Sequence, residues 1–292
     1  MTTSNTEDLN FSNTKISLDW KSNLNLFACT YPKNFKIIHL NINSIFCKVH
    51  FINQILNEQN YDLISIQESK LGPNIPDNFL TSSYYNIIRR DRESGAGGLL
   101  IFISKSYQVS DLKIYPNVEA ISFSLNLNNL KHHFLTSYNP HYRFKATFLP
   151  IIREILESLR TMTSRVLFFG DLNQDLLTLN GDDLFSLMSD FNFFSHLASP
   201  TRITATSSTL IDVVFSNSSE LISDSKTYGC PFSDHNFVVV ALSSNKMHKG
   251  AVTFESRMLT NEKLEKINQQ LALVPFNTLD SLDDIRDKFY FF

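Results

Sequence analysis

The sequence contains little cysteine. Among its 292 residues there are three, Cys29, Cys47 and Cys230, and no two of them have C-x-x-C spacing. Disulfide scaffolds need cysteines in pairs, and thiolate zinc sites need them at short, patterned spacings. An odd count without a pattern therefore argues against both, and it fits a reducing, intracellular setting.

Long apolar runs are also missing. No stretch approaches the ~18 consecutive apolar residues of a membrane-spanning helix, and residues 1–8, MTTSNTED, lack the apolar segment of a secretory signal peptide. The net charge of −3 is small, so the chain as a whole is not a basic nucleic-acid-binding protein. A local basic face remains compatible with that charge. We expect no membrane partner.

Apolar and aromatic side chains are abundant. Hydrophobic residues make up 42% of the chain, aromatic residues make up 12%, and 25 residues are phenylalanine. Such a composition can fill a sizeable core and argues against disorder. A length of 292 residues allows one large domain or two ordinary ones.

Hydrophobic periodicity predicts more strands than helices. Strands are predicted at residues 35–42, 62–66, 85–88, 99–103, 118–127, 131–138, 166–169, 209–215 and 237–242. Helices are predicted after Phe46, at residues 146–161 and near residues 182–190. Helices inserted among strands indicate an α/β (α+β) fold with two sheets faced by helices.

The two ends of the chain differ from this central part. Residues 1–33 are polar and rich in Asn and Ser, which predicts a loosely ordered arm. Residues 34–245 hold the predicted strands and form the expected domain. Residues 246–292 are interpreted as a helical linker, cut before a further domain, because 261–272 and 279–289 are amphipathic without obvious partners.

One segment places several polar side chains directly after a strand. Val166–Phe169 is a short apolar run that indicates a strand buried on both faces, and Gly170, Asp171, Asn173 and Asp175 follow it. Carboxylate and amide oxygens at the end of a buried strand suit a hard cation. An Asp/Asn turn explains the same residues, and for this segment alone it is the more common explanation.

Polar side chains recur at the ends of other predicted strands. They are Asn41 and Asn43, Glu68, Tyr138, and Asp234 with His235. Each has an ordinary explanation as a turn former, a solvated charge, a core ring or a structural histidine. Asp212 is harder to explain, because it lies between Ile211 and Val213 and a carboxylate is costly to bury unpaired. His235 is the candidate partner, since the other seven histidines lie in less suggestive contexts.

Seven short motifs occur in an order that matches a known superfamily. They are Asn41-Ile-Asn-Ser44, Gln67-Glu68, Gly97-Gly98, Ser137-Tyr138, Gly170-Asp-Leu-Asn173, Leu210-Ile-Asp212 and Ser233-Asp-His235. Over roughly residues 35–245 the chain resembles the endonuclease/exonuclease/phosphatase superfamily, which includes DNase I, exonuclease III and the apurinic endonucleases. The resemblance implies a four-layer α/β/β/α sandwich in which two mixed sheets pack face to face.

Three further segments resemble one branch of that superfamily. Tyr85–Arg92, Ser199–Arg202 and Ser208–Asp212 are similar to segments of the endonuclease of non-LTR retrotransposons. The helices from residue 261 onward resemble the link that precedes a reverse transcriptase in those polyproteins.

The resemblance implies a divalent-metal site. Glu68 would bind the metal directly, with Asn41 and Asn43 close by and Asp234 completing the metal side. Asn43 stands where many relatives carry Asp. The implied ion is Mg²⁺, with Mn²⁺ as the alternative, and no small-molecule cofactor is expected.

The resemblance also implies a catalytic group. Asp171 would align or deprotonate the attacking water, and Asn173 would hold a phosphate oxygen. Tyr138 would hydrogen-bond the phosphate. His235, oriented by Asp212, would contact the scissile phosphate.

Two other residues lie outside this assignment. The resemblance gives Asp175 no role, so we interpret it as a loop residue. His141 occupies a position where several relatives have Asn, which changes the expected phosphate contact there.

Double-stranded DNA is the implied partner. Its backbone would be bound by Arg89, Arg90, Arg92, Arg202 and Thr209. A solvated charge run explains Arg89–Arg92 equally well, because Asp91 lies within it.

The implied function is divalent-metal-dependent hydrolysis of phosphodiesters, as an endonuclease that nicks target DNA for retrotransposition. Such a domain is expected to be monomeric and to act in the nucleus. Two alternatives remain open at this point. One is a phosphoesterase acting on lipid or RNA phosphates, because substrate selection lies in the loops of this scaffold. The other is an inactive retrotransposon remnant.

Overall fold

The structure is a computed structural model that describes residues 20–80, 82–93, 96–140, 144–160, 165–246 and 260–273. The chain forms two compact units, Met1–His248 and Lys249–Phe292. All strands in the described residues belong to the first unit. None of the described helices is long and apolar enough to cross a membrane.

Fourteen strands and five α-helices occur in the described residues. The strands are β1 Asn34–Asn41, β2 Leu63–Gln67, β3 Tyr85–Arg90, β4 Leu99–Ser104, β5 Ser110–Tyr115, β6 Glu119–Leu127, β7 Leu130–Tyr138, β8 Val166–Asp171, β9 Phe194–Ser195, β10 Arg202–Ile203, β11 Ser208–Thr209, β12 Asp212–Ser216, β13 Ile222–Tyr228 and β14 Phe237–Asn245. The helices are α1, residues 20–30, α2 Val49–Glu58, α3 Leu149–Arg160, α4 Asp182–Asp190 and α5 Asn261–Ala272.

Two six-stranded mixed sheets form the centre of the first unit. The first has the order β13-β14-β1-β2-β4-β3, and the second has the order β5-β6-β7-β8-β12-β9. The pairs β1–β2 and β7–β8 are parallel, and the other pairs are antiparallel. Helices α1 and α2 pack on the first sheet, and α3 and α4 share a core with the second. The predicted α/β/β/α sandwich is confirmed.

Strand β1 shows how the sequence directs side chains into the sandwich. Successive side chains of a strand point to opposite faces. Phe35 and Ile37 belong to the core shared with the second sheet, whereas Leu40 belongs to the core under α1 and α2. His39 and Asn41 continue the face of Phe35 and Ile37, so both point towards the second sheet.

The predicted strands are present, but sequence reasoning missed β5 and β13 and the two-residue strands β9 and β10. Strands β5 and β13 lie at sheet edges, and their exposed residues weaken the apolar pattern on which strand prediction depends. The strand predicted at 209–215 is divided in two. Leu210 N donates to Asp175 Oδ1 and Ile211 N donates to Thr201 Oγ1, which interrupts the ladder. Asp212 is consequently the first residue of β12 and not the middle of a strand.

The prediction of a loosely ordered arm over residues 1–33 is wrong for residues 20–30, which form α1. Trp20, Leu24 and Phe27 are buried in the core of the first sheet. Their spacing is that of one helix face, and this signal was hidden by the polar residues around it. The predicted helix at 261–272 is present as α5, whereas the one at 279–289 lies outside the described residues.

Gly170 lies on β8 beside Ser137 of β7, where Gln67 of the first sheet contacts the second. A Cβ atom at this position would be 1.9 Å from Ser137 O and 2.8 Å from Gln67 Nε2. Gln67 of the first sheet reaches across to the second, where Nε2 donates to Ser137 O at 2.8 Å and Oε1 accepts from Asp171 N. A side chain at 170 would therefore push apart the residues that join the sheets.

We predict that Gly170→Ala lowers the free energy of unfolding by roughly 1–3 kcal/mol, the usual cost of overpacking. Thermal and urea unfolding followed by circular dichroism measure this change. Gly229→Ala is the matched control, because no atom lies within 4 Å of the added Cβ there. Equal effects of the two substitutions would contradict the proposed crowding.

Candidate active site

Asn41 links acidic side chains from both sheets. It ends β1, and its Nδ2 donates to Glu68 Oε1 at 2.9 Å and to Asp171 Oδ2 at 2.7 Å. Glu68 follows β2 of the same sheet, whereas Asp171 ends β8 of the other. Because one amide holds both carboxylates, the ends of three strands form a single site.

Glu68 is held in a strained and well-defined position. Its backbone has a φ of 49°, a left-handed conformation that costs roughly 1–2 kcal/mol for a residue with a Cβ. Its Oε1 accepts from Tyr138 OH at 2.9 Å as well as from Asn41. Its Oε2 lies 3.7 Å from Lys70 Nζ, and the side chain is 20% exposed. Backbone strain of this kind is concentrated at active sites and ligand-binding sites.

Asp171 and Asp212 are the two carboxylates at the base of the site. They are paired residues on neighbouring strands β8 and β12, and both have 0% exposure. His235 Nδ1 donates to Asp212 Oδ2 at 2.8 Å. The other ring nitrogen, Nε2, lies 3.8 Å from Asp171 Oδ2. His235 therefore bridges the two carboxylates.

Burial and charge set the protonation of these groups. Burial, and then repulsion by Asp212, raise the pKa of Asp171 to about 7, in the range where a carboxylate can act as a base near neutral pH. Burial alone would lower the pKa of His235, but attraction by Asp212 and Asp171 outweighs it and raises that pKa to about 9. His235 is thus cationic at neutral pH.

The same balance acts on Asp212 and Tyr138. Burial opposes ionisation of Asp212, but His235 and His39 hold the pKa of its carboxyl well below its usual range. Burial, and then the charge of Glu68, raise the pKa of Tyr138 above its usual range. Tyr138 therefore remains a neutral hydrogen-bond donor.

Two groups of side chains could hold a cation. Asp171, Asp212 and His235 offer ligand atoms within 4.8 Å of one another, but they are buried and Asp212 and His235 already bond each other. The side chain of Glu68 is 20% exposed, and its Oε2 already attracts the ammonium group of Lys70. Carboxylate oxygens are ligands that Mg²⁺ prefers. The amide of Asn41 directs Nδ2 to Glu68 and Oδ1 to the backbone N of Asn43, so Glu68 is the residue that fits a divalent cation best.

The structure brings together most residues predicted for the site. They are Asn41, Glu68, Tyr138, Asp171, Asn173, Asp212 and His235. Asn173 joins this group through its backbone, because its backbone N donates to Asp171 Oδ1 at 2.9 Å. Its side-chain Nδ2 donates to Asn139 O at 2.8 Å.

Two predicted metal ligands are engaged elsewhere. The carboxylate of Asp234 accepts from Arg202 Nε at 2.7 Å. Asn43 is exposed, and its Oδ1 accepts from Lys70 Nζ. Asp175, interpreted as a loop residue, caps the amides of Leu177 and Leu210 with Oδ1. His141 lies outside the described residues.

The prediction that Arg89 binds DNA is not supported by its surroundings. Its guanidinium group donates to Asp77, Asp91 and the carbonyl oxygens of Gly72 and Ile75. These contacts use every N–H that the group possesses, and the side chain is 11% exposed. Arg89 therefore fixes the fold around β3.

Arg90 and Arg92 instead line a groove beside Tyr138. The groove has a volume of about 410 Å³, and its walls include Phe148 and Glu119. Arg90 donates to the carbonyl oxygens of residues 115 and 116. Arg92 pairs with Glu119 and lies over the ring of Tyr138, 5.9 Å from its centroid. This groove places two cationic groups next to the site.

Sequence reasoning assigned no role to three contributors. Gln67 joins the two sheets, Thr201 Oγ1 accepts from the backbone N of Asp212 at 2.9 Å, and His39 Nε2 donates to Asp212 Oδ1 at 3.0 Å. Gln67 and Thr201 lie in segments that the resemblance singled out, but without a role of their own. The two-residue spacing of His39 and Asn41 on β1 was a usable signal, because it puts both on one face.

The sequence model of the Endonuclease/Exonuclease/phosphatase family matches residues 38–235. The chain belongs to this family. Its members are metal-dependent phosphodiesterases and nucleases, so the protein is placed among hydrolases that use a divalent metal. No curated protein sequence matches the chain.

Solved structures share the fold at low sequence identity. The 3′ phosphatase NExo from Neisseria, bound to a product DNA hairpin, has 14% identity and a TM-score of 0.61, with coverage of 72% of this chain and 99% of that one. The endonuclease domain of TRAS1, a telomere-specific non-LTR retrotransposon, has 15% identity, a TM-score of 0.59 and coverage of 74% and 100%. The AP endonuclease LMAP from Leishmania major has 13% identity, a TM-score of 0.59 and coverage of 72% and 88%.

We predict that Glu68→Gln weakens Mg²⁺ binding by about tenfold or more, at least the loss seen when an outer partner of a metal site is removed. Isothermal titration calorimetry measures it without any substrate. Asp234→Asn is the matched control, since it removes the same charge from a carboxylate that pairs with Arg202. It should cost no more than about fivefold, the range of an exposed charge pair.

Equal losses in the two variants would show that Asp234 is also a metal ligand. An unchanged affinity in Glu68→Gln would remove Glu68 from the metal site.

Proposed function

We propose that this protein is a Mg²⁺-dependent endonuclease that nicks double-stranded DNA. The observation that carries the proposal is the meeting of a partly exposed carboxylate, a buried base and a cationic imidazole at one edge of the sandwich. Glu68, Asp171 and His235 fill these roles, and Asn41 and Asp212 hold them in place. A cation ligand, a base for the attacking water and a positive charge near the phosphate each accelerate hydrolysis of a phosphodiester.

The attacking group in this reaction is water. Asp171 accepts a proton from the water while the water oxygen attacks phosphorus. The raised pKa of Asp171 suits that proton transfer. The bond from phosphorus to the 3′ oxygen breaks, and the leaving oxygen takes up a proton from solvent water. The products are a 3′ hydroxyl and a 5′ phosphate.

Negative charge that develops on the phosphate is met by cationic His235, which Asp212 holds in place. Preorganised donors of this kind are the largest contribution to many enzymatic rates. Tyr138 ends β7 and Asn173 follows β8, and their side chains donate to Glu68 Oε1 and Asn139 O in this structure. In the proposed reaction they turn to the phosphate. When bound at Glu68, a divalent cation supplies further neutralisation of the phosphate and of the leaving oxygen.

A projecting hairpin supports a polymeric substrate. Strands β10 and β11 form a two-stranded sheet of their own, and β10 lies beside the site because Arg202 forms a bridge with His235. Residues 205–208 at the tip are exposed and rich in hydroxyl groups. Thr209 follows them and pairs with Arg202. Such a hairpin is shaped to contact a duplex on one side of the scissile phosphate.

Charge on the other side of the site is consistent with the same substrate. Arg90 and Arg92 line the groove next to Tyr138, and Arg202 flanks His235. Arginine contacts to backbone phosphates position a duplex without reading its sequence. The similar structures include a retrotransposon endonuclease domain and an enzyme bound to a DNA hairpin. Nicking of chromosomal DNA for retrotransposition would take place in the nucleus.

We predict that the protein converts supercoiled plasmid to the open circle in the presence of Mg²⁺. Glu68→Gln and His235→Ala should each lower the rate on the order of 10²–10³-fold, the cost of losing one preorganised charge. Gel electrophoresis of the plasmid forms measures the rate. Glu157→Gln on the exposed face of α3 is the control and should retain full activity.

Nicking that persists in both variants would overturn the assigned site. Absence of nicking by the unsubstituted protein, with phosphate released from a phosphoinositide or an RNA end, would favour a phosphoesterase of the same family. Absence of hydrolysis on all of these substrates would identify an inactive copy.

We also predict that shortening the hairpin lowers DNA cleavage without lowering the hydrolysis of a small phosphodiester. Replacing residues 203–208 by Asn-Gly keeps the pair Arg202 and Thr209 and closes it with a favoured two-residue turn. Plasmid nicking should fall, whereas hydrolysis of the small diester bis(p-nitrophenyl) phosphate should not. A parallel loss of both activities would contradict a role of the hairpin in DNA contact.

A further inference from the structure

Asp212 holds two imidazole rings, one on each carboxylate oxygen. His235 Nδ1 donates to Oδ2 at 2.8 Å, and His39 Nε2 donates to Oδ1 at 3.0 Å. His39 lies on β1 of the first sheet, whereas Asp212 begins β12 of the second. The contact therefore crosses the sandwich directly beneath the site.

The ring of His39 is fixed in one orientation. It is 1% exposed, and its edge packs on Phe169 with the ring centroids 6.2 Å apart. Among the described residues, its Nδ1 has no hydrogen-bond partner. A carboxylate only accepts hydrogen bonds, so Nε2 carries the proton. Asp212 is consequently the one polar attachment of this side chain within the described structure.

His39 reaches the reacting atoms through Asp212 alone. Asp212 is fully buried, and the backbone N of the residue is tied to Thr201 Oγ1 at 2.9 Å. The remaining freedom of its carboxylate is rotation about the side-chain bonds. A donor on each oxygen removes that freedom, because a turn of the carboxylate plane would break both hydrogen bonds.

We propose that His39 is a positioning residue for phosphodiester hydrolysis. By binding Oδ1, it fixes the plane of the Asp212 carboxylate, and Oδ2 then fixes the imidazole of His235 towards Asp171. The proposal rests on the proposed function of the same site. The alternative explanation is that His39 only joins the two sheets. The two explanations differ in whether the effect of substituting His39 depends on the presence of His235.

A double-mutant cycle tests this dependence. In the full chain with Mg²⁺, His39→Leu should lower kcat for plasmid nicking by about 10–100-fold, the usual effect of losing a residue that orients a ligand or catalytic group, with little change in KM. In a His235→Ala background, the same substitution should cost almost nothing further. Losses that multiply in the double variant would overturn the proposal.

Two variants guard against a trivial loss of folding. His39→Gln keeps an N–H near the position of Nε2 and should recover most of the rate. His133→Leu makes the same change at another buried histidine, bonded through Nδ1 to Ser124 Oγ at 2.7 Å. It should lower stability without changing the kcat of the folded enzyme. A fall in kcat equal to that of His39→Leu would assign His39 a structural role only.

A second readout needs no substrate. The Nδ1 proton of His235 gives its own signal in the proton NMR spectrum, because its hydrogen bond to Asp212 is buried. His39→Leu should shift or broaden this signal, and His133→Leu should leave it unchanged. An unchanged signal in His39→Leu would contradict the proposal. If the signal changes but the unsubstituted protein does not nick DNA, His39 still positions His235, and DNA nicking as the function of the site is contradicted.

Discussion

Two fully buried carboxylates on neighbouring strands are the constraint on which this structure depends. Asp171 and Asp212 face each other across β8 and β12 with no exposure to solvent. Burying one such charge costs several kcal/mol unless it is paired and hydrogen-bonded. Hydrogen bonds to the two carboxylates come from His235, His39 and Asn41. His235 lies in the loop before β14, and the other two residues lie on β1. The carboxylates of one sheet are therefore stabilised largely by hydrogen-bond donors of the other, of which His235 also carries a positive charge.

This arrangement explains why the site needs both sheets. The parallel strand β1 brings His39 and Asn41 to its carboxyl end on one face, and β8 brings Asp171 to the same edge. Gln67 ties the edges together where Gly170 leaves room for a close approach. Glu68 is partly exposed and has a left-handed backbone conformation. The site therefore combines buried carboxylates with an accessible one.

Much of the fold was predictable because buried strands give continuous apolar runs that end at polar residues. The motifs at those ends, such as Gly170-Asp171 and Ser233-Asp-His235, were sufficient to predict that Asp171, Asp212 and His235 lie together. The contact of His39 with Asp212 was not predicted, since neither sequence distance nor local pattern records that a second histidine faces this carboxylate. The same limit applies to the arginines. Arg89 and Arg92 are equivalent in sequence, yet one is enclosed by Asp77 and Asp91 and the other lines a groove.

The central claim is that Glu68 holds the cation of a phosphodiester hydrolase above a buried Asp171–His235–Asp212 group. A crystal structure with Mn²⁺ tests it most directly, because anomalous scattering locates the ion without reference to activity. The account predicts a peak about 2.0–2.2 Å from Glu68 Oε2, the distance of an oxygen ligand to a small divalent cation. A peak enclosed by Asp171, Asp212 and His235, or one bound to Asp234 without Glu68, would contradict it.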